Sequence, residues 1–318
     1  MIKQMKHPTK ISRRMARLNR MGYVFILPFF LFFIVFNLYP ILYSLVLSFF
    51  EWNGMGKKNY AGLANYSRVF FSDPYFFQSL GNTFLVMVVY LPISLIAALL
   101  IATLLYNKHI KHASFFQTAQ FLPYIVAPVA VGMLFQILFD WSTGTVNQLL
   151  MAAGFIKEGL NWLGDPGLAR GVLILLMIWK ELGYAVTLFL AAMTNISPDL
   201  IEASEVDGAN YIQRLMRIII PQLNPIILFI TITGSISCLQ MFDAPKILVG
   251  AIGEGRTIIG GPGRSCLTPI WYMIDTAFGQ TTGAPAFGYG AAISYGLFLV
   301  IALFSIINYK IIKRSENT

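Results

Sequence analysis

The segment ISPDLIEASEVDGANYIQRLMRIIIPQLNP, residues Ile196 to Pro225, separates two long apolar stretches. Its first residues are typical of a helix start, because Ser197 can accept an unpaired backbone N–H and Pro198 has no N–H to leave unpaired. At about 100° per residue, three carboxylates fall within about one third of the helix circumference: Asp199, Glu202 and Glu205. The sequence therefore predicts a short helix with an acidic stripe between two membrane-length segments.

The second half of this segment predicts a turn and another helix. Gly208 permits a backbone turn that other residues resist, and the residues after it include Arg214 and Arg217. Pro221 predicts a bend where the chain enters the next apolar stretch. The expected arrangement is a short acidic helix, a turn and a short basic helix.

The spacing of these residues resembles a known motif. Glu202-Ala203-Ser204, Gly208 six residues after the glutamate, Ile218 ten beyond the glycine and Pro221 three beyond that are similar to the EAA loop of ABC importer permeases. Ser204 replaces the usual second alanine, and Ile220 replaces the usual leucine before Pro221. The alternative is a solvated loop whose acidic residues merely suit the helix dipole, but the number of matched positions favours the motif.

In that family the loop is a cytoplasmic helix that docks into a cleft of the ATPase subunit. The resemblance implies that residues 196–217 form this loop. It assigns coupling to the ATPase to Glu202, Ala203, Ser204, Glu205, Asp207, Gly208 and Pro221.

The composition indicates a membrane protein. The chain is 57% hydrophobic and 12% charged, against about 25% charged residues in average soluble proteins. Six segments reach the roughly 20 apolar residues that a spanning helix needs. They are Tyr23 to Phe50, Ser79 to Tyr106, Ser114 to Phe139, Leu168 to Met193, Arg217 to Phe242, and Gly288 to Ile311. The expected fold class is all-α and integral to the membrane, with six transmembrane helices, and the resemblance implies a type I ABC importer permease fold.

The distribution of basic residues predicts the topology. More than half of the 23 lysines and arginines lie in the N-terminal tail, in the short connection with Lys108 and Lys111, in the 196–217 loop and at the C-terminus. By the positive-inside rule, both termini are cytoplasmic in a multi-pass protein of the cell membrane. The expected organisation is a basic tail at residues 1–22, a permease domain at 23–311 and a tail at 312–318. The net charge of +9 indicates topology and attraction to anionic lipid, not nucleic-acid binding.

Some residues predict how the spans are shaped and packed. Pro92, Pro123 and Pro128 each remove a helix hydrogen bond, so the second and third spans are expected to be kinked and packed inward. In the sixth span, Gly288, Ala292 and Gly296 are spaced four apart and predict close approach of another helix. That helix could belong to this chain or to a second permease.

Charged and polar side chains within the spans are candidates for the substrate path. Trp179, Lys180 and Glu181 interrupt the fourth span, where a charge costs about 3 kcal/mol and is expected to face protein or water. A structural ion pair is the alternative. Thr233, Ser237 and Gln240 form a polar stripe on the fifth span, and bonding to the helix backbone or to another helix is the slightly favoured alternative explanation for them. Tyr184 and Asp243 complete the candidate set.

Weaker motifs resemble the carbohydrate-type permeases. They are Gly62-Leu63-Ala64-Asn65-Tyr66, Asp73-Pro74, Asn82-Thr83, Phe121-Leu122-Pro123, Phe242-Asp243, Gly260-Gly261-Pro262, Tyr272 and Ala277-Phe278. The chain lacks the glycine-rich basic tail common on the second permease of such importers, so it resembles the first of a nonidentical pair. The resemblance implies a second permease subunit, two ATPase subunits and an extracytoplasmic sugar-binding protein as partners.

The chain is expected to be a non-catalytic subunit. Gly250 to Thr257 nearly fits a phosphate-binding loop, but Arg256 replaces the lysine and a membrane segment precedes it. No catalytic residue, metal site or cofactor is predicted, and ATP would be bound by partner subunits. The alternatives are an ion-coupled secondary carrier that uses Lys180 and Glu181, and a membrane-embedded enzyme, for which the sequence offers no catalytic motif.

Overall fold

The computed structural model describes residues 10–106, 112–250, 259–280 and 283–316, without the side chains of 10–20, 309 and 311–316. The connection with Lys108 and Lys111 and most of the 250–257 stretch lie outside the described residues. The helices are α1 (Lys10–Phe33), α2 (Tyr39–Leu47), α3 (Ala64–Ser67), α4 (Pro74–Tyr106), α5 (Ala113–Ile125), α6 (Pro128–Leu138), α7 (Thr145–Ala152), α8 (Pro166–Met193), α9 (Pro198–Val206), α10 (Tyr211–Arg214), α11 (Ile220–Leu239), α12 (Asp243–Val249), α13 (Pro269–Phe278) and α14 (Phe287–Glu316).

The all-α membrane architecture is confirmed, with one small exception. Among the described residues, five helical segments are long and apolar enough to span a membrane: Met21–Leu47, Pro74–Tyr106, Pro166–Met193, Tyr211–Leu239 and Phe287–Asn308. They correspond to the first, second, fourth, fifth and sixth predicted spans. The exception is a short antiparallel hairpin after α2, in which β1 (Phe50–Glu51) pairs with β2 (Asn59–Tyr60).

The third predicted span is wrong as a single helix. Its two halves, α5 and α6, meet at an angle of 96°. The break lies at Val126 and Ala127, whose backbones are extended with ψ of 138° and 133°. Pro128 then starts α6, because the residue before a proline is disfavoured in helical conformation. Six spans are reached only if this bent pair counts as one.

The bend is stabilised by packing against α12. The Gln136 side chain of α6 donates to the backbone carbonyls of Ile247 at 2.5 Å and Leu248 at 3.2 Å. A Cβ on Gly132 would lie 2.5 Å from the Ile247 side chain, so the two helices approach where α6 has no side chain. Pro92, by contrast, lies inside the continuous helix α4.

The fifth span begins earlier than predicted. Helix α10, a π-helical turn at Leu215–Ile219 and α11 run continuously, so the basic residues Arg214 and Arg217 belong to the span helix and not to a separate helix. Pro221 lies near the start of α11 without ending the helix. The bend expected at Pro221 does not interrupt the helix, which passes from the π turn into α11 without a break.

The core lies between the second, fourth, fifth and sixth spans. Ala98 and Ala102 of α4 are fully buried in a cluster with Phe189, Met193 and Leu223. The small residues of the sixth span also pack within this chain. Ala292 is fully buried, and a Cβ on Gly288 would lie 1.8 Å from the Phe50 carbonyl oxygen. Of the two explanations offered by the sequence, packing inside the subunit is the one observed.

The first span is the least buried of the five apolar helical segments. None of its most apolar stretch is buried against the rest of the chain. Helix α1 begins at Lys10, so part of the predicted 1–22 tail continues directly into the span. The first span contacts the sixth span near the C-terminal end of the first, where Tyr295 donates to the Ile41 carbonyl at 2.6 Å. Lipid or another protein chain is therefore needed to cover this helix.

A buried polar cluster holds together the end of the bundle opposite to α9. Asp73 accepts the backbone N–H groups of Tyr75 and Phe76 at the start of α4. Its other carboxylate oxygen accepts the hydroxyls of Tyr272, at 2.6 Å, and Tyr289. Burial, followed by the Asp73 carboxylate, raises the pKa of Tyr272, so this hydroxyl remains a donor. One carboxylate thus joins α4, α13 and α14.

Candidate functional site

Helix α9 forms where the sequence predicts it. It spans Pro198–Val206 with Ser197 at the N-cap position, although the serine side chain makes no capping hydrogen bond. Ser204 is 6% exposed and its hydroxyl donates to the Ile201 carbonyl at 2.6 Å. Ile201 packs against the core cluster. One side of α9, which includes the buried Ser204, therefore packs against the bundle.

The opposite side of α9 is exposed. Glu202 and Ala203 are both exposed, and Val206 is 88% exposed. At 100° per residue, Asp199 lies within this face between Val206 and Ala203, and Asp207 lies at its edge. The chain therefore leaves this face of α9, with Val206 among acidic side chains, uncovered.

Three local features define the turn after α9. Gly208 has φ of +78°, which confirms the turn that the sequence predicts there. The Ala209 N–H donates to the Ser204 carbonyl at 2.9 Å. Asn210 and Gln213 then form a reciprocal capping box at the start of α10. The turn therefore connects α9 directly to the helix of the fifth span.

A cavity of about 170 Å³ lies between the second, fourth and fifth spans and brings several predicted path residues together. Glu181, Tyr184, Thr233 and Ser237 line it. The Tyr184 ring stacks on Tyr124 of α5 with centroids 4.9 Å apart. The Thr233 hydroxyl donates to its own helix at the Phe229 carbonyl, 2.6 Å away, and this is the backbone bonding that the sequence left open as an explanation.

A second cavity, of about 290 Å³, adjoins the first. Lys180, Glu181, Ser237, Gln240 and Asp243 line it, so Glu181 and Ser237 border both cavities. Lys180 and Glu181 form an ion pair with each other, with Nζ and Oε1 3.4 Å apart. Gln240 follows the end of α11, so it extends the polar stripe beyond the helix.

Trp179 is the one path candidate that lies outside both cavities. Trp179 is 41% exposed, and its ring packs against Phe135 of α6 with centroids 5.7 Å apart. This follows from helix geometry, since Trp179 lies about 160° from Glu181 around α8. In this arrangement Trp179 contacts the broken third span and not the polar path.

Three hydroxyl-bearing residues that line the first cavity were not singled out from the sequence: Tyr90 and Ser94 of α4 and Tyr124 of α5. Tyr90 and Ser94 are four residues apart and so share a helix face, and this spacing could have identified them from the sequence. The Asn82–Arg170 contact was also missed. The Arg170 guanidinium donates to the Asn82 side chain at 3.2 Å, and Asn82 donates to the Arg264 carbonyl at 2.7 Å. The position of Arg170 near the N-terminal end of an apolar span could have indicated this contact from the sequence.

The sequence and fold match known proteins. Residues 80–315 match the family described as the binding-protein-dependent transport system inner membrane component. The lactose transport system permease protein LacF of Rhizobium radiobacter is 38% identical over 91% of this chain and 92% of its own length. The arabinooligosaccharides transport system permease protein AraP of Halalkalibacterium halodurans is 33% identical over 94% and 91%.

Solved structures show the same fold. A chain of a bacterial ABC transporter that imports the acidic polysaccharide alginate has a TM-score of 0.75 at 22% identity, covering 96% of this chain and 99% of that one. A chain of the alginate transporter in complex with its pentasaccharide-bound periplasmic protein has a TM-score of 0.79 at 20% identity, covering 96% and 98%. The chain belongs to the binding-protein-dependent transport system inner membrane components, the permease subunits of ABC importers.

Proposed function

We propose that this permease moves a sugar or oligosaccharide into the cell as the first of two nonidentical permease subunits. The two permeases sit on two ATPase subunits, α9 of this chain docks into an ATPase subunit, and an extracytoplasmic sugar-binding protein delivers the substrate. Both termini and α9 are on the cytoplasmic side. The observation that carries this proposal is that the exposed helix α9 is joined, through the turn at Gly208, to the helix that lines the polar cavities.

The sugar class is supported by the chemistry of the cavities. Sugars are bound by neutral hydroxyl and amide groups together with aromatic rings. The first cavity offers the Tyr124–Tyr184 stack and the hydroxyls of Ser94 and Ser237. The named relatives transport lactose and arabinooligosaccharides.

The second permease is supported by what this chain leaves incomplete. The extended backbone at Val126 and Ala127 is exposed, and such a break at membrane depth is tolerated only against protein or a water-filled path. A partner subunit that covers α5 and α6 would enlarge the path and shield the break.

The mechanism follows from the connection between α9 and the fifth span. When the ATPases close, they move α9, and the continuous helix Tyr211–Leu239 transmits this motion to Ser237 and its neighbours. Access to the cavities then alternates between the two sides of the membrane. This chain supplies the path and the contact with the ATPase, and the partner subunits hydrolyse ATP.

The ion-coupled alternative has no support in the described residues. Lys180 and Glu181 neutralise each other, so the pair offers no unpaired charge for a transported ion. A secondary carrier would transport sugar when purified alone, whereas the proposed permease requires its ATPase and binding-protein partners.

The test is Glu202→Lys in the complete complex reconstituted in liposomes, with lactose and arabinooligosaccharides as probe sugars. We expect normal insertion and loss of ATP-dependent uptake, because the charge reversal lies on the exposed face of α9. Glu158→Lys is the matched control, since it makes the same charge change on the exposed connection between α7 and α8. Undiminished uptake by the Glu202 variant, or uptake by the permease alone, would overturn the proposal.

A further inference from the structure

The acidic side chains of α9 are not equivalent in the folded protein. Glu205 forms an ion pair with Arg214, across the turn that follows α9. Asp199, Glu202 and Asp207 form no ion pair with any described residue, so their carboxylates remain available to a partner. Glu205 therefore differs from Glu202 and Asp207, with which the resemblance grouped it as a coupling residue.

Arg214 is well placed to hold Glu205. It is the last residue of α10, and the helix continues from it through the π turn into α11. Its side chain is only 17% exposed, whereas that of Glu205 is 58% exposed. The guanidinium also lies over the Tyr211 ring at 5.9 Å. The arginine is therefore partly ordered by its own helix, which reduces the entropy lost on binding the carboxylate.

The pair is a distinctive link between α9 and the fifth span. In the part of the chain that the structure describes, no other side-chain hydrogen bond or ion pair joins residues 198–206 to residues 210–220. The Asn210–Gln213 capping box lies entirely at the start of α10 and does not reach α9. The turn itself depends on the Ala209 N–H bond to Ser204 and on Gly208, around which the backbone can rotate.

We propose that Glu205 and Arg214 form a positioning pair that fixes the angle between α9 and the helix of the fifth span. Glu205 then acts through Arg214 and does not contact the ATPase, in contrast to Glu202. This inference rests on the proposed function, since the angle matters only if α9 is the element that the ATPase moves. Without the pair, α9 keeps its packing against the bundle and its turn, but loses the side-chain contact that fixes its angle to the helix of the fifth span.

The test measures the apparent affinity of the purified ATPase subunit for the permease complex in nanodiscs, which needs no sugar. Glu205→Gln and Arg214→Gln should each weaken binding about two- to fivefold, the range expected for one partly exposed ion pair. The double neutral variant should be no weaker than either single variant, because both remove the same interaction.

Charge exchange separates positioning from docking. Glu205→Arg and Arg214→Glu should each weaken binding more than the neutral variants, and combining them should restore affinity to within about twofold of the unmodified protein. The matched control combines Glu202→Arg with Arg214→Glu. These two positions do not pair, so no restoration is expected.

The outcomes distinguish the two proposals. If the unmodified permease does not bind the ATPase, the proposed function fails. If it binds but the exchanged pair is as weak as the single reversals, or if the neutral variants bind normally, only the positioning pair is overturned. If Glu202→Arg is also restored by Arg214→Glu, the effect is one of overall charge, and the specific pairing is refuted.

Discussion

The contact between the fourth span and α5 gives a sharp prediction at Gly183. A Cβ at this position would lie 2.0 Å from the backbone oxygen of Gln120, whereas a carbon and an oxygen in contact are about 3.3 Å apart. Gly183→Ala therefore requires α5 to shift by about 1.3 Å. Backbone atoms cannot rotate out of the way as a side chain can, so α5 must move as a helix.

The expected cost is that of overpacking a well-packed interface, about 1–3 kcal/mol. Gly171 provides the control in the same helix, since no atom lies within 4 Å of a Cβ built there. Gly171→Ala removes a helix glycine without a clash and should be neutral or stabilise by up to about 1 kcal/mol.

The assay is thermal unfolding of both variants in the same detergent, followed by uptake in the reconstituted complex. Gly183→Ala should have the lower midpoint. It should also reduce uptake, because moving α5 displaces Tyr124 from its stack on Tyr184 beside the cavity. Equal midpoints for the two variants would refute the close approach of α5 and α8 on which this reasoning depends.

Two further predictions concern the turn and the polar cluster. Gly208 has φ of +78°, and no atom lies within 4 Å of a Cβ added there. Gly208→Ala and Gly208→Leu should therefore both cost about 1–2 kcal/mol of backbone strain and impair coupled uptake similarly, with Gly208→Asn milder. A loss of uptake that grows with side-chain size would contradict a purely conformational role. Tyr272→Phe and Tyr289→Phe each remove a hydrogen bond to the buried Asp73 carboxylate, and each should destabilise by about 1.5–3 kcal/mol in thermal unfolding. An unchanged midpoint in either variant would show that its hydroxyl does not stabilise the cluster.

Local sequence patterns predicted much of the candidate site. The start of α9 at Pro198 and the turn at Gly208 depend on the chemistry of single residues, and the structure has both. The position of Lys180 and Glu181 inside the fourth span is also as predicted, because an apolar run of this length shows where the helix lies. The roles of these residues in coupling and in the substrate path remain predictions.

Other features could not be predicted because they depend on contacts between distant residues. Pro123 and Pro128 indicated a kink, but the bend of 96° depends on Gln136 and Gly132 meeting α12 more than 100 residues later. The exclusion of Trp179 from the cavities follows from the rotation of α8 against its neighbours. Similarly, the pairing of Glu205 with Arg214 requires the turn to place two residues side by side.

The amino-acid sequence by itself determined that this chain crosses the membrane, approximately where it does so, and that an acidic helix and a glycine turn separate the fourth and fifth spans. These properties follow from hydrophobicity and from backbone preferences, which act over a few neighbouring residues. Only the tertiary structure decided which side chains meet at the cavities, how the third span breaks and which carboxylate of α9 is bound within the chain. Such contacts depend on helix rotation and packing, and their free energies arise between residues that no local pattern brings together.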